Sequence, residues 1–176
     1  VVNQQVPCHL YIRRNKDEAK MAINRAVGRA ADTNLVCPPP DATRAQRLQV
    51  AVDALRAGHL LYVTPDLPWK SHEGTAVSIF GRTTYFPTGV FVMAMRTGAA
   101  VVPAWWRWDN GAYSVRFDPP VILDRGGGVK SVTEAAMRTW AAHVDAFLRA
   151  EPAMWWNWLD NRWTALLRRG TTSGVA

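Results

Sequence analysis

A chain of 176 residues that is 48% hydrophobic and 20% charged is long enough to bury a core and too apolar to be a disordered tail. No stretch approaches the roughly 18 uninterrupted apolar residues of a spanning helix, so the polypeptide does not cross a bilayer as a helix by itself. A net charge of +7 favours anionic partners (nucleic acid, an acidic carrier protein or anionic lipid headgroups) against the plainer reading of arginines spread over solvated faces.

Two cysteines, Cys8 and Cys37, form neither a metal pattern nor a disulfide framework, as in a reducing compartment. The chain opens on Val1-Val2-Asn3 with neither an initiator Met nor a signal-type segment, so its start reads as a cut.

Taken in order, Leu10-Tyr11-Ile12 is β-prone and ends at Arg13-Arg14-Asn15. Asn15 can cap a helix from Lys16 to about Ala31, with Ala19, Ala22, Ile23, Ala26 and Val27 on one thin stripe. A brief strand at Leu35-Val36 stops at Pro38-Pro39-Pro40. The next helix starts at Asp41 or Thr43, buries Leu48, Val52 and Leu55, and ends at Gly58. It delivers the chain into a buried-strand run, His59 to Val63, after which Pro65-Asp66 sets an acidic side chain beyond the strand's carboxyl end. In open α/β sheets ligands collect there.

The polar segment from Asp66 to Gly74 has the character of an active-site or lid loop. A strand from Thr75 to Phe80 closes at Gly81, and a helix from Thr88-Gly89 to Arg96 presents Val92 and Met95 to the sheet. A β run from Ala99 to Val102 follows, stopped by Pro103. Asp109-Asn110-Gly111 is a hairpin signal that pairs Val101–Trp108 with Tyr113–Phe117. Ser131 and Glu134 have capping-box spacing before a helix whose stripe is Val132, Ala136, Trp140, Val144 and Phe147. Glu151-Pro152 opens a last, tryptophan-rich helix. The pattern predicts an α/β fold, a mixed sheet flanked by helices, in a single domain over residues 1–170 with a frayed tail at 171–176.

Four features bear on chemistry. Asp66 either borders a binding pocket, where a carboxylate positions a hydroxyl or anchors an arginine, or caps a turn. Thr88-Gly89 opens a helix whose free N–H groups can receive a phosphate or a developing oxyanion, or is a plain helix start. Nine tryptophans are many for this length, and they gather at Trp105-Trp106-Arg107-Trp108 and from Trp155 to Trp163. An indole suits a membrane–water interface, so Trp105, Trp106, Trp155 and Trp158 are candidates for contact with lipid or an acyl chain. At helical spacing Trp155, Trp158 and Trp163 fit ordinary core equally well. No residue set points to a metal, and Gly126-Gly127-Gly128 lacks the preceding strand and spacing of a phosphate loop.

Several stretches in a fixed order resemble one family. Leu48 to Gly58, Pro65-Asp66, Val77-Ser78-Ile79-Phe80-Gly81, Thr88-Gly89, Arg96 to Pro103, Asp118-Pro119-Pro120, and Glu151-Pro152 through Arg162-Trp163 resemble the bacterial lipid A biosynthesis acyltransferases and their phosphatidylinositol mannoside acyltransferase relatives. The terminal stretch departs from the family's pattern, carrying Leu159-Asp160-Asn161 where a histidine is usual. The resemblance implies a lysophospholipid acyltransferase-like fold, truncated at its N-terminus. It implies transfer of a fatty acyl chain from acyl carrier protein or coenzyme A to a hydroxyl of a membrane glycolipid or lipid A-type acceptor, at the cytoplasmic face of the bacterial inner membrane. No bound cofactor is implied, the thioester being a co-substrate. Arg44 and Arg47 stand where members carry a basic residue that meets a phosphate or oxyanion.

The family's base is a histidine five residues ahead of a carboxylate. The residues five after His9, His59, His72 and His143 are Arg14, Thr64, Val77 and Leu148, so none fits. The chain alone is therefore expected to be inactive, with His72, beside Glu73 in the loop, as the residual catalytic candidate. The contrasting reading is a non-catalytic module that holds anionic lipid or an acidic carrier protein.

Overall fold

The computed structural model describes residues 7–11, 18–30, 33–36, 38–39, 41–69 and 74–168. The expected cap Asn15, Cys37, the candidate His72 and the tail 171–176 lie outside the described residues. Contacts group the chain into two compact units, one of Val1–Thr64 with Arg96–Ala99 and one of Pro65–Met95 with Ala100–Ala176.

In the first unit β1 (Cys8–Tyr11), α1 (Glu18–Ala30), β2 (Asn34–Val36), α2 (Arg44–Arg56) and β3 (Leu60–Tyr62) alternate. The strands pair in parallel in the order β2-β1-β3, as helical crossovers require. The start of α2 settles a choice the sequence left open. Thr43 is the cap: its hydroxyl accepts from the Gln46 N–H at 3.2 Å, and Gln46 Oε1 accepts from the Thr43 N–H at 2.8 Å. Gly58, at φ +79°, ends the turn after it.

Two expectations fail here. The alanine stripe of α1 is largely exposed, with Ile23 out in solvent and Met21 buried in its place, because alanine offers too little area to decide which face packs. The run at β3 is not a buried strand: Leu60 and Tyr62 are both exposed, as an edge strand of a three-stranded sheet allows.

The second unit carries the larger core. Strands β4 (Thr75–Ile79) and β5 (Arg82–Phe86) form an antiparallel hairpin, and α3 (Gly89–Thr97) follows. Strands β6 (Ala104–Asp109) and β7 (Ala112–Phe117) form a second hairpin, and then come α4 (Val129–Ala150) and α5 (Asn161–Arg168). Helix α4 lies on β4 and buries Val132, Ala136, Trp140, Val144 and Phe147, the stripe its spacing specified. The described fold is thus mixed α/β, with its strands divided among three small sheets.

Five local readings are corrected. Strand β5 was not foreseen, since Phe80-Gly81 turns the chain straight back. The run at Ala99 to Val102 is no strand; Val101 makes a lone bridge to Val121. Helix α4 starts one turn early, with Gly128 as its cap residue and Ser131 Oγ donating to the Gly128 carbonyl at 2.9 Å. After Glu151-Pro152 two short 3-10 turns, Pro152–Met154 and Trp156–Leu159, precede α5. In α3 the buried residues are Phe91, Met93 and Ala94, while Val92 and Met95 are only half-buried.

Candidate active site

Pro65-Asp66 lies three residues beyond β3 and opens the second unit. Leu67 packs against that unit's core and Pro68 is buried, which draws the Asp66 side chain inward until it is only 8% exposed. A buried carboxylate needs donors, and they come from the far end of the chain. Asn157, itself buried, donates from Nδ2 to Asp66 Oδ2 at 2.8 Å. Trp163, with no exposed surface, donates from Nε1 to the Asp66 backbone carbonyl at 2.9 Å. The two stretches are 91 and 97 residues apart in the chain.

Burial pushes the Asp66 carboxyl above its ordinary value of 3.8, against the pull of its own backbone, of Arg162 and of the Asn157 amide. Arg162 is committed to a local clasp. Its Nε and Nη2 donate to the two oxygens of Asp160 at 2.9 and 2.8 Å. That pairing pulls Asp160 down to about 2. Trp163 stands in an aromatic group, with Trp155 at 5.7 Å, Trp158 at 6.3 Å and Phe86 at 6.0 Å between ring centroids.

Chemically, the arrangement offers a carboxyl fixed by an amide and an indole, with one oxygen bonded to Asn157 and a proton affinity raised by burial. Such a group can orient a hydroxyl; nothing beside it makes it a nucleophile.

The other candidates fall elsewhere. Arg44 and Arg47 lie on the first turn of α2, in the first unit. Thr88 and Gly89 open α3, where the Thr88 carbonyl accepts from the N–H groups of Phe91 and Val92 at 3.0 and 3.1 Å. A Cβ on Gly89 would meet nothing within 4 Å, so the space beside this helix start is open. Trp105 is buried, stacked on Phe147 at 4.7 Å, with its Nε1 donating to Asp118 at 2.7 Å. Trp155 is buried as well, and its Nε1 has no hydrogen-bond partner among the described residues. Trp158 is half-buried and donates to the Pro152 carbonyl at 2.7 Å. Trp106 alone of the four is exposed.

His143 is half-buried, with Nδ1 3.3 Å from Asp118 Oδ2. That carboxylate also takes Trp105 and Arg116. Burial would raise it, but these donors and the imidazole together hold it below 3.8. Three partners on one carboxylate make it a structural junction tying β7 to α4. His9 and His59 stack at 4.5 Å with Nε2 and Nδ1 2.7 Å apart, and burial followed by the His59 charge lowers the His9 pKa.

The sequence does not place Asn157 or Trp163 beside Asp66, and marks Trp163 only as one of the clustered tryptophans that fit ordinary core. Both lie within the terminal stretch that resembles the family, but no local pattern says that residues so distant face Asp66.

Residues 2–165 match the family described as bacterial lipid A biosynthesis acyltransferase. The chain belongs to this family. The match takes in both halves of the Asp66 cluster. Among curated proteins, a phosphatidylinositol mannoside acyltransferase of Mycolicibacterium smegmatis is 28% identical over 95 residues, which cover 54% of this chain and 29% of that relative. The chain thus spans less than a third of that relative's length in the matched region. No described helix is long and apolar enough to cross a membrane.

Proposed function

We propose that the protein takes part in transferring a fatty acyl chain from a coenzyme A or acyl carrier protein thioester to a hydroxyl of a membrane glycolipid, at the cytoplasmic face of the bacterial inner membrane. The name of the mycolicibacterial relative favours a mannosylated phosphatidylinositol as acceptor over a lipid A precursor. The observation that carries the reading is the closure of Asn157 and Trp163 on Asp66, which joins two family-like stretches into one buried polar cluster.

On this reading Asp66 holds the acceptor hydroxyl in line with the thioester carbonyl. The hydroxyl oxygen forms the new ester bond, the carbon–sulfur bond breaks, and the thiol leaves with the proton. The open N-terminus of α3 at Thr88-Gly89 suits the thioester's phosphates or the oxyanion. In the first unit Arg44 and Arg47 are separate anion-contact candidates, and the thioester is a co-substrate with no resident cofactor. None of the four histidines stands five residues ahead of a carboxylate, so the chain alone binds substrate without turning it over. The same observation favours a second reading, a non-catalytic module for anionic lipid or an acidic carrier protein.

The test is thioester consumption with acyl-CoA and acyl carrier protein donors and a detergent-dispersed phosphatidylinositol mannoside acceptor. Protein isolated from its native host is expected to release thiol, and Asp66→Ala to lower kcat/KM about tenfold or more, the scale of a lost positioning contact. No thiol release from the native protein would leave the binding-module reading. Turnover by the chain alone would show that it holds its own base, with His72 the residue to replace first.

A further inference from the structure

The β6–β7 hairpin is fastened on one face and bare on the other. Its register sets Ala104 opposite Phe117, Trp106 opposite Val115 and Trp108 opposite Tyr113, so these side chains share a face. The alternate residues turn inward: Trp105 stacks on Phe147 of α4, and Arg107 pairs with Glu151 at 2.8 Å. On the outward face Trp106 and Trp108 are each 53% exposed, Phe117 68% and Tyr113 70%. The rings are ordered among themselves, with Tyr113 edge-on to Trp108 at 4.5 Å and to Trp106 at 6.4 Å.

From the geometry we infer that this face docks on the interfacial layer of an anionic lipid bilayer, an inference that rests on the lipid acyltransferase reading above. Three observations favour lipid. First, four of the five large exposed side chains are aromatic, and both indoles and the phenol pair an apolar body with a polar tip, the chemistry of a membrane interface rather than of a dry protein core. Second, the bare face amounts to roughly 600 Å², the upper end of what a soluble monomer leaves uncovered and below the ~800 Å² per partner of a standard interface. Third, the chain carries a net charge of +7, which favours an anionic surface over a neutral one. The hairpin would then lie against the surface, with α4 and the rest of its unit on the water side.

Sedimentation with vesicles tests this, using phosphatidylcholine alone and an equimolar mixture with phosphatidylglycerol. The chain is expected to partition onto the mixed vesicles, and brominated lipid to quench its tryptophan emission. The double variant Trp106→Ala with Trp108→Ala should lose about tenfold or more in partition, as should Phe117→Ala with Tyr113→Ser, each retaining the parent's circular dichroism. Partition of the variants equal to the parent's would overturn the inference. So would a parent that stays in the supernatant, or a self-association of the parent that the variants lose, which would assign the face to a second copy. Thioester consumption by wild-type native protein in detergent needs no vesicle, so failure there counts against the acyltransferase reading and failure here against the docking face.

Discussion

The two hairpins of the second unit share a turn geometry and meet opposite fates. Phe80-Gly81 and Asn110-Gly111 both place two residues at positive φ, 53° and 75° in one and 49° and 81° in the other, the type I′ pair that matches strand twist. In β4 and β5 the residues alternate inward, with Val77, Ile79, Thr84 and Phe86 buried under α4 and its neighbours. In β6 and β7 Trp105 alone is buried. The same local ribbon thus becomes core or surface according to what packs on it.

The turns differ in how they bear their strain. Asparagine tolerates the left-handed region by itself, whereas phenylalanine there is an outlier that surroundings must hold. The surroundings are visible: Asp145 Oδ1 accepts the Phe80 N–H at 2.6 Å, and Arg149, paired to Asp145, lies 5.0 Å over the Phe80 ring. Burial alone would raise Asp145, but the Arg149 and Phe80 hydrogen bonds hold it below 3.8.

The contrast can be broken most sharply by truncating one ring from each ribbon. Phe86→Ala, which removes a fully buried ring touching Trp140 and Trp163, should cost about 3–5 kcal/mol in denaturant unfolding. Trp108→Ala should stay within about 0.5 kcal/mol. Similar costs would mean that the second ribbon is as well packed as the first.

Asp145→Ala comes next, at about 1–3 kcal/mol, because it leaves the Phe80 N–H without its acceptor. The sign with pH follows from the depressed carboxyl. The folded state releases that proton more readily than the unfolded chain, so its stabilisation is present above the unfolded value and lost as pH falls through the folded one. The parent should therefore lose stability in acid relative to the variant, and parallel melting profiles below pH 3.8 would refute the coupling.

The smallest effects test whether turn strain is local. A Cβ on Gly81 or Gly111 meets nothing within 4 Å, so Gly81→Ala and Gly111→Ala should each cost about 1–2 kcal/mol from φ alone, and equally. A markedly larger loss at Gly81 would show that the buried hairpin amplifies what its turn suffers.

Legibility followed how local the cause was. Asn110-Gly111 declared its hairpin because both residues accept positive φ, and the stripe of α4 was readable because large side chains at helical spacing leave one face to bury. Strand β5 was missed because Phe80-Gly81 carries only half of that signal, the other half being a carboxylate 65 residues away. In α1 the small side chains left the packed face undetermined. At the candidate site Asp66 was legible from its place beyond a strand, but its partners Asn157 and Trp163 were not, since hydrogen bonds across such separations leave no periodicity.

By itself, then, the sequence determined the α/β alternation, the α4 stripe, the Asn-Gly hairpin, the family-like stretches and the place of Asp66 just beyond a strand, all properties of residue type and short-range spacing. Only the tertiary structure decided which tryptophans are core and which form a bare aromatic face, and that Asp66 is buried and clasped. Burial and long-range pairing depend on which surfaces meet, and an indole has the same composition whether it lies against Phe147 or against solvent.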